Sequence, residues 1–197
     1  AVVVKPAGIA VSGNMLRVLE NALPKNLKKT KKSDALDWPL PVHRLDFPTY
    51  GLLLCAKTRT GQIGLHQLFE KREISKTYLA ICIGKMQPEG QVDTPIKEKD
   101  ASTKYKVLQT VDSAKFDQLN LVQLNPITGR RHQLRIHMSS LGHPILGDKE
   151  YGIEGKIIKG KGLYLAATAL HLKHPISQQK LDFNIDPPAK FNKIFPV

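Results

Sequence analysis

The sequence has 197 residues and carries 30 Lys and Arg against 17 Asp and Glu, a formal net charge of +13 at pH 7. This excess of positive charge favours a nucleic acid as partner over an acidic small molecule. No apolar run approaches the roughly 20 residues of a membrane-spanning helix, and we find no basic amphipathic helix, so we expect no membrane association. The length suits one well-cored domain, and we expect residues 1–197 to form it.

In chain order, the apolar periodicity predicts more strands than helices. Strands are predicted at 1–11, with a break at the turn signal Lys5-Pro6-Ala7-Gly8, and at 51–57, 76–83, 102–111, 116–124, 163–172 and 180–185, and helices at 15–23, 60–70 and 130–141. On the second helix, Ile63, Leu65, Leu68 and Phe69 are expected to face inward. Because many strands follow one another directly, the pattern predicts an α+β fold with a mixed, largely antiparallel β-sheet flanked by helices.

A lysine-rich segment follows the first predicted helix. Residues 25–32 contain five lysines and few apolar side chains, which predicts a mobile loop. A charge run of this kind is either a solvated surface or a contact for phosphate groups. The candidates for phosphate contact are Lys28, Lys29, Lys31 and Lys32.

The two cysteines of the chain, Cys55 and Cys82, each lie in an apolar, strand-like run. Buried thiols that stay reduced are typical of proteins in a reducing compartment. This pattern predicts two free cysteines and a cytoplasmic location.

The first motif with chemical potential is His43-Arg44-Leu45-Asp46, which precedes a predicted buried strand. A loop that leads into a buried strand can hold a reactive carboxylate rigidly. For a lone loop aspartate, a salt bridge is the more common role. A second motif shifts the balance towards function for Asp46.

That second motif runs from Asn125 to His137 and contains Thr128-Gly129-Arg130-Arg131-His132-Gln133. The turn signals predict a helix that begins near Arg130, with Thr128 as N-cap and with Leu134, Met138 and Leu141 on one buried face. Arg131 and Arg135 lie four residues apart on another face. Because two arginines oppose the helix dipole at that end, an anionic ligand or carboxylate would be stabilised there; the alternative is a solvated basic face.

Four motifs occur together in one order. Lys5-Pro6-Ala7-Gly8 is followed by His43 to Gly51, then by Lys76-Thr77-Tyr78, and then by Thr128 to Arg135 with Gly142 to Asp148. In these motifs and their order the chain resembles the RluA-type pseudouridine synthases, except that Tyr50 stands where the family usually has Ser. The matches span most of the chain. The resemblance implies the catalytic fold of that family, with no separate N-terminal RNA-binding domain in this chain.

The resemblance also implies a reaction and roles for particular residues. The N1–C1′ bond of a uridine in RNA breaks and the uracil rejoins through C5, so no redox cofactor and no metal are expected. Asp46 is implied as the catalytic carboxylate, which either attacks C1′ or removes the 2′ proton. Arg135 matches the family arginine that pairs with that aspartate, and Tyr78 matches the tyrosine that lies against the uracil.

The target base must leave the stack to react, and Arg44 is the candidate to fill the gap that it leaves. His43 is expected to orient the loop. Arg130 and Arg131 join the lysine-rich segment as candidates for phosphate contacts. The expected partner is rRNA or tRNA, and the expected oligomeric state is a monomer.

Three other functions fit parts of the sequence less well. A metal-dependent hydrolase would need paired ligands, but His132 and His137 face apart on a helix and the His171–His174 pair has no second ligand pair. A nucleotide-binding ATPase would need a phosphate-binding loop, but the segment Gly155–Lys161 is followed by Gly162 where such a loop has the Ser or Thr that binds magnesium. A non-catalytic RNA-binding module would explain the charge but not Asp46, Tyr78 and Arg135 together.

Overall fold

The computed structural model describes residues 1–155, 157 and 160–196. Its elements in chain order are β1 (Val2–Lys5), α1 (Leu19–Asn26), β2 (Ala35–Pro41), β3 (Tyr50–Thr58), α2 (Arg59–Glu70), β4 (Ser75–Ile83), β5 (Glu89–Val92), β6 (Thr103–Ser113), β7 (Asp117–Pro126), α3 (Gln133–Ser140), β8 (Leu165–Lys173) and β9 (Lys180–Asn184). The strands form a mixed, mostly antiparallel arrangement with three helices in the described part of the chain, which confirms the predicted α+β class.

The chain divides into two compact units. Unit 1 comprises Ala1–Ser75 and Ala169–Ile185, and unit 2 comprises Lys76–Thr168 and Asp186–Val197. The single-domain organisation stays a prediction.

Unit 1 is built around β3, whose Leu52–Ala56 stretch is buried on both faces because every side chain in it is apolar. Strand β1 runs antiparallel to it with Val3 opposite Leu53, and β2 also pairs with it in antiparallel orientation. The later residues of β8 pair with β9. Together with α2, these strands enclose a core of Val42, Leu52, Leu54, Ala56, Leu65, Ile74, Leu170 and Leu172.

Unit 2 contains the antiparallel order β4-β7-β6-β5. Tyr78 lies opposite Leu124, so alternate residues of β4 and β7 share the face that packs on α3. The core on that face consists of Ala80, Cys82, Val92, Val122, Leu124, Leu134, Met138, Ile145, Leu163 and Leu165. This core fixes the position of α3, the helix that follows the second motif.

The predicted helix 130–141 begins three residues late. His132 adopts a left-handed backbone conformation (φ 56°), which ends any helical continuity with Arg130 and Arg131. Thr128 is therefore not the N-cap, and the predicted arginine face at 131 and 135 does not form, because residue 131 precedes the helix. Leu141, predicted to be buried, is 38% exposed.

Several smaller predictions were also wrong. Helix α1 begins at Leu19 rather than near Met15, and Ile63 on α2 points outward with 60% of its surface exposed. Strands β2 and β5 were not predicted, because β2 contains two prolines and β5 contains a central glycine, which weaken strand signals. Cys55 and Cys82 are buried free thiols as predicted, and burial raises the pKa of Cys55 to about 11.

Candidate active site

In unit 1, Asp46 opens a tight turn that leads towards β3. The backbone N–H of Thr49 donates to the Asp46 carbonyl at 3.0 Å, which places Phe47 and Pro48 at the tip of the turn. The Phe47 carbonyl in turn accepts a hydrogen bond from the Gly8 N–H at 2.8 Å. The backbone on either side of the candidate carboxylate is therefore held in place by hydrogen bonds.

Lys5 is fully buried and supports the same turn. Its ammonium donates to the carbonyls of Pro6 (2.9 Å), Ile9 (2.8 Å) and Phe47 (3.3 Å). Burial lowers the pKa of Lys5 to about 8, and the negative charge of Asp46 opposes that shift. The sequence had shown Lys5 only as part of a turn signal and a family motif, so this anchoring role was missed.

His43 is a structural residue of this loop. Its Nε2 accepts a hydrogen bond from the backbone N–H of Leu54 at 2.9 Å, and its ring packs against Phe69 with ring centres 4.8 Å apart. Because Nε2 is the acceptor, a neutral ring carries its proton on Nδ1. This arrangement agrees with the expectation that His43 orients the loop.

The remaining side chains of the turn differ sharply in exposure. Leu45 and Thr49 are buried, whereas Arg44 and Phe47 are exposed. The Thr49 hydroxyl is the one buried side-chain polar atom in the described part of the chain that has no hydrogen-bond partner. An unpaired buried hydroxyl is uncommon in folded proteins and lies here three residues from Asp46.

In unit 2, the candidate residue Arg135 lies on α3 and is 5% exposed. Its Nε and Nη2 donate to the two carboxylate oxygens of Asp148 at 2.7 and 2.8 Å, and Nη2 also reaches Glu150 at 3.2 Å. The guanidinium lies over the Tyr151 ring, 4.9 Å from its centre. This geometry fixes the plane of the guanidinium.

Asp148 is the carboxylate that ends the Gly142 to Asp148 motif. Burial alone would raise its pKa, but the hydrogen bonds from Arg135 and from the backbone N–H groups of Tyr151 and Glu150 outweigh burial and lower it. Sequence reasoning missed this partner, although the acidic end of a matched motif was a usable signal. The pairing of Arg135 with Asp46 stays a prediction.

Gln133, the first residue of α3, organises the segment before the helix. Its Oε1 accepts from the Thr128 hydroxyl (2.6 Å) and from the Arg130 N–H (2.9 Å). Its Nε2 donates to the Ser102 carbonyl (2.9 Å) and to the Thr103 hydroxyl (3.0 Å). All hydrogen-bonding groups of this buried amide are thus used, which fixes the Arg130 backbone relative to β6.

The other candidate residues are placed as follows. Tyr78 is partly buried and packs against the core of unit 2. Arg130 is half-buried and its Nε donates to the Asp100 carbonyl at 2.9 Å, whereas Arg131 is exposed. The four lysines of the predicted phosphate-contacting segment, Lys28, Lys29, Lys31 and Lys32, are all exposed in the loop between α1 and β2.

Among the described residues, no group of three His, Cys, Asp or Glu side chains is arranged to hold a metal ion. Within the same residues, no helix has the length and apolar character needed to cross a membrane. The segment Gly155–Lys161 lies partly outside the described residues.

Comparison with known proteins gives a consistent result. The family model described as RNA pseudouridylate synthase matches residues 1–140. A ribosomal large subunit pseudouridine synthase C of Rickettsia bellii is 34% identical over 207 residues, covering 96% of this chain and 66% of that protein. The dual-specificity RNA pseudouridine synthase RluA of Pasteurella multocida is also 34% identical, covering 94% of this chain and 88% of the relative.

Among solved structures, human RNA pseudouridylate synthase domain containing 4 aligns with a TM-score of 0.77 at 26% sequence identity. The alignment covers 96% of this chain and 86% of the human one. The fold similarity therefore extends over both units of the chain rather than over one motif.

Proposed function

This chain belongs to the RNA pseudouridylate synthase family, whose members are isomerases that convert uridine in RNA to pseudouridine, and we propose that Asp46 is its catalytic carboxylate. The observation that supports this assignment is the turn at Asp46. The Gly8 N–H and the buried ammonium of Lys5 both donate to the carbonyl of the next residue, Phe47. The backbone that carries the carboxylate is therefore held in place, next to exposed side chains. Such preorganisation is what a charge-stabilising group requires.

Conversion of uridine to pseudouridine requires a group that stabilises positive charge at the anomeric carbon, C1′, and a carboxylate is suited to this role. When the N1–C1′ bond breaks, positive charge develops at C1′, and a carboxylate stabilises that charge or forms a bond to it. The C5 atom of the uracil then bonds to C1′; this step breaks the Asp46–C1′ bond if Asp46 had attacked, or is accompanied by return of the 2′ proton if Asp46 had removed it. C5 afterwards loses its proton to a base, and N1 gains a proton. Whether Asp46 attacks C1′ or removes the 2′ proton, it must be ionised when the reaction begins.

Tyr78 and Arg135 complete the proposed catalytic set. The ring of Tyr78 provides a face for uracil and its hydroxyl a group that can assist removal of the C5 proton. Arg135 contributes a guanidinium that is already oriented by Asp148 and therefore loses little entropy when it binds an anion. The assignment of these two residues is supported by their positions in the matched motifs.

The substrate we propose is a structured RNA, either rRNA or tRNA. Names of relatives that refer to the ribosomal large subunit support the first of these. Arg44 is proposed to occupy the space that the flipped uridine leaves, and Arg130, Arg131, Lys28, Lys29, Lys31 and Lys32 to contact phosphates. We also propose that the protein acts as a monomer in the cytoplasm without a metal or cofactor, and that residues 1–197 form a single catalytic domain.

The decisive experiment is Asp46→Asn, which removes the charge with little change in shape. RNA labelled with tritium at uridine C5 releases tritium when pseudouridine forms, and filter binding gives the affinity. We expect no tritium release above background, with affinity within a few fold of wild type because phosphate contacts dominate binding. Turnover near wild type in this variant would show that Asp46 is not the catalytic group. Loss of affinity with retained fold would instead favour a binding role.

The RNA and its site can be found by mapping pseudouridine across all transcripts in cells with and without the protein. Uridines that lose modification when the protein is absent are the expected substrates. If no position changes, and if purified protein also fails to release tritium from cellular RNA of the deleted strain, the non-catalytic RNA-binding alternative is favoured.

A further inference from the structure

Phe47 is an exposed aromatic residue directly after the proposed catalytic aspartate. Its side chain is 54% exposed, whereas Leu45 and Thr49 on either side of the Asp46–Phe47–Pro48 tip are 6% and 2% exposed. A single exposed apolar side chain is common on a protein surface, so it is the position of Phe47 directly after the proposed catalytic aspartate that distinguishes it.

The backbone around Phe47 is held by three hydrogen bonds. Its carbonyl accepts hydrogen bonds from the Gly8 N–H (2.8 Å) and from the buried Lys5 ammonium (3.3 Å). Pro48 follows and has a fixed φ angle, and the Asp46–Thr49 hydrogen bond closes the turn. Because these bonds hold the backbone, a ligand that contacts the ring has mainly the side-chain rotamer to order, and the protein loses little backbone entropy on binding.

The surroundings indicate the chemistry of that ligand. Arg44, three residues earlier, is also exposed, and the whole chain carries a net charge of +13. An exposed aromatic ring and an exposed guanidinium on the same loop of a basic protein are side chains that suit an unstacked nucleobase, because the ring can stack on the base while cations contact phosphate.

We propose that Phe47 is a stacking platform for a nucleobase that neighbours the target uridine in RNA. This proposal rests on the proposed function, since the base to be stacked is the one uncovered when the uridine leaves the helix. Stacking of one base on an aromatic side chain changes affinity by roughly 5- to 150-fold. The role is in binding and positioning, so it affects KM more than kcat.

The first test compares Phe47→Ala, Phe47→Leu and Phe47→Tyr in single-turnover tritium release from an RNA fragment that contains the mapped uridine. We expect KM to rise about tenfold or more in the Ala and Leu variants, and the Tyr variant to behave as wild type. Ile63→Ala is the matched control, since Ile63 is an apolar side chain with 60% exposure on α2. We expect it to leave KM unchanged.

A second test separates stacking from general loss of apolar surface. The same fragment is made with an abasic nucleotide on the 5′ or on the 3′ side of the uridine. If Phe47 stacks on one of these bases, removing that base weakens binding to wild type and has no further effect on Phe47→Ala. Equal penalties in both proteins at both positions would overturn the proposal.

A direct readout uses tryptophan fluorescence. Trp38 is the single tryptophan of the chain, so Trp38→Phe combined with Phe47→Trp leaves one reporter at the proposed platform. Binding of the RNA fragment should quench it. Absence of quenching at saturating RNA, or conversion of a dimer to a monomer by Phe47→Ala, would overturn the proposal, the latter because it makes Phe47 a self-association contact. The proposed function is tested separately by Asp46→Asn. If that variant is inactive, the proposed function holds even when the fluorescence or the oligomeric state overturns the role of Phe47.

Discussion

Replacing Lys5 with Met should reduce both stability and turnover, and the two effects should depend on pH in opposite ways. Met keeps a long unbranched side chain but removes the ammonium that donates to Pro6, Ile9 and Phe47. A hydrogen bond from a charged group contributes about 1.5–3 kcal/mol, so two good bonds and one longer one are worth about 4–6 kcal/mol. The free energy needed to bury the charge must be subtracted from this contribution.

That cost follows from the pKa. A shift from 10.5 to about 8 corresponds to about 3 kcal/mol, at about 1.36 kcal/mol per pKa unit. The net loss of stability in Lys5→Met at pH 7 is therefore expected to be about 1–3 kcal/mol. Activity should fall further than stability alone explains, because the Phe47 carbonyl loses one of its two donors and the Asp46 turn loosens.

The pH dependence distinguishes this account from a simple packing defect. The folded-state pKa lies below the unfolded one, so the unfolded chain binds the extra proton and stability rises with pH between about 8 and 10.5. From pH 7 to 9.5, Lys5 should add about 2 kcal/mol to the free energy of unfolding of wild type. Over the same range turnover should decline, since the neutral amine no longer balances the charge of Asp46.

The assay is urea unfolding and single-turnover tritium release at pH 7, 8 and 9.5, for wild type and Lys5→Met. Burial also lowers the pKa of Lys76 and Lys190. Both lysines are present in wild type and in Lys5→Met and change the free energy of unfolding with pH in the same way, so the difference between the two proteins isolates Lys5. Parallel stability curves across this range would refute the reasoning, because they would mean that Lys5 does not titrate as its burial requires.

Four further predictions concern Arg135, Thr49, metal removal and salt. Arg135→Lys should lose turnover and also about 1–3 kcal/mol of stability, because it breaks the two-pronged contact with buried Asp148. Thermal unfolding measures the loss, with Arg131→Lys as the exposed control. Thr49→Val should leave stability unchanged or raise it by about 1 kcal/mol, because the hydroxyl has no partner, whereas a loss of stability in urea would show that the hydroxyl is bonded. Turnover on a short unstructured RNA should survive EDTA; loss of activity that zinc or magnesium restores would contradict this. The logarithm of the affinity should fall with the logarithm of the salt concentration, at a slope of about −0.7 per phosphate contact, and a flat salt dependence would contradict that expectation.

Local patterns in the sequence predicted most of the strands and the fold class. The β3 strand was predictable because Leu52 to Ala56 is continuously apolar, and β6 and β7 because they follow one another with alternating side chains. Helix α3 began late because His132 is left-handed, a conformation that its local sequence does not signal. Ile63 was assigned inward by its apolar character alone, although exposed apolar residues are common.

The partners of the site residues were harder to predict, because they are distant in the sequence. The hydrogen bond from Lys5 to Phe47 spans 42 residues, that from Gln133 to Thr103 spans 30, and that from Arg135 to Asp148 spans 13. Periodicity describes which face of an element is buried but not which buried polar groups meet there. Motif resemblance pointed to Asp46 and Arg135, yet it gave no physical reason for Lys5 or Asp148.

The structure supplies that reason, because a buried polar side chain must find partners and so constrains the backbone that provides them. Lys5 fixes the turn of Asp46, and Asp148 fixes the plane of Arg135. Substitution of these two anchors should therefore change stability and turnover together. Arg44 and Phe47 are exposed and hold nothing in place by burial, so their substitution should change RNA binding while the free energy of unfolding stays within about 0.5 kcal/mol of wild type. Measuring both quantities on both pairs separates residues that support the proposed catalytic side chains from residues that we propose to contact RNA.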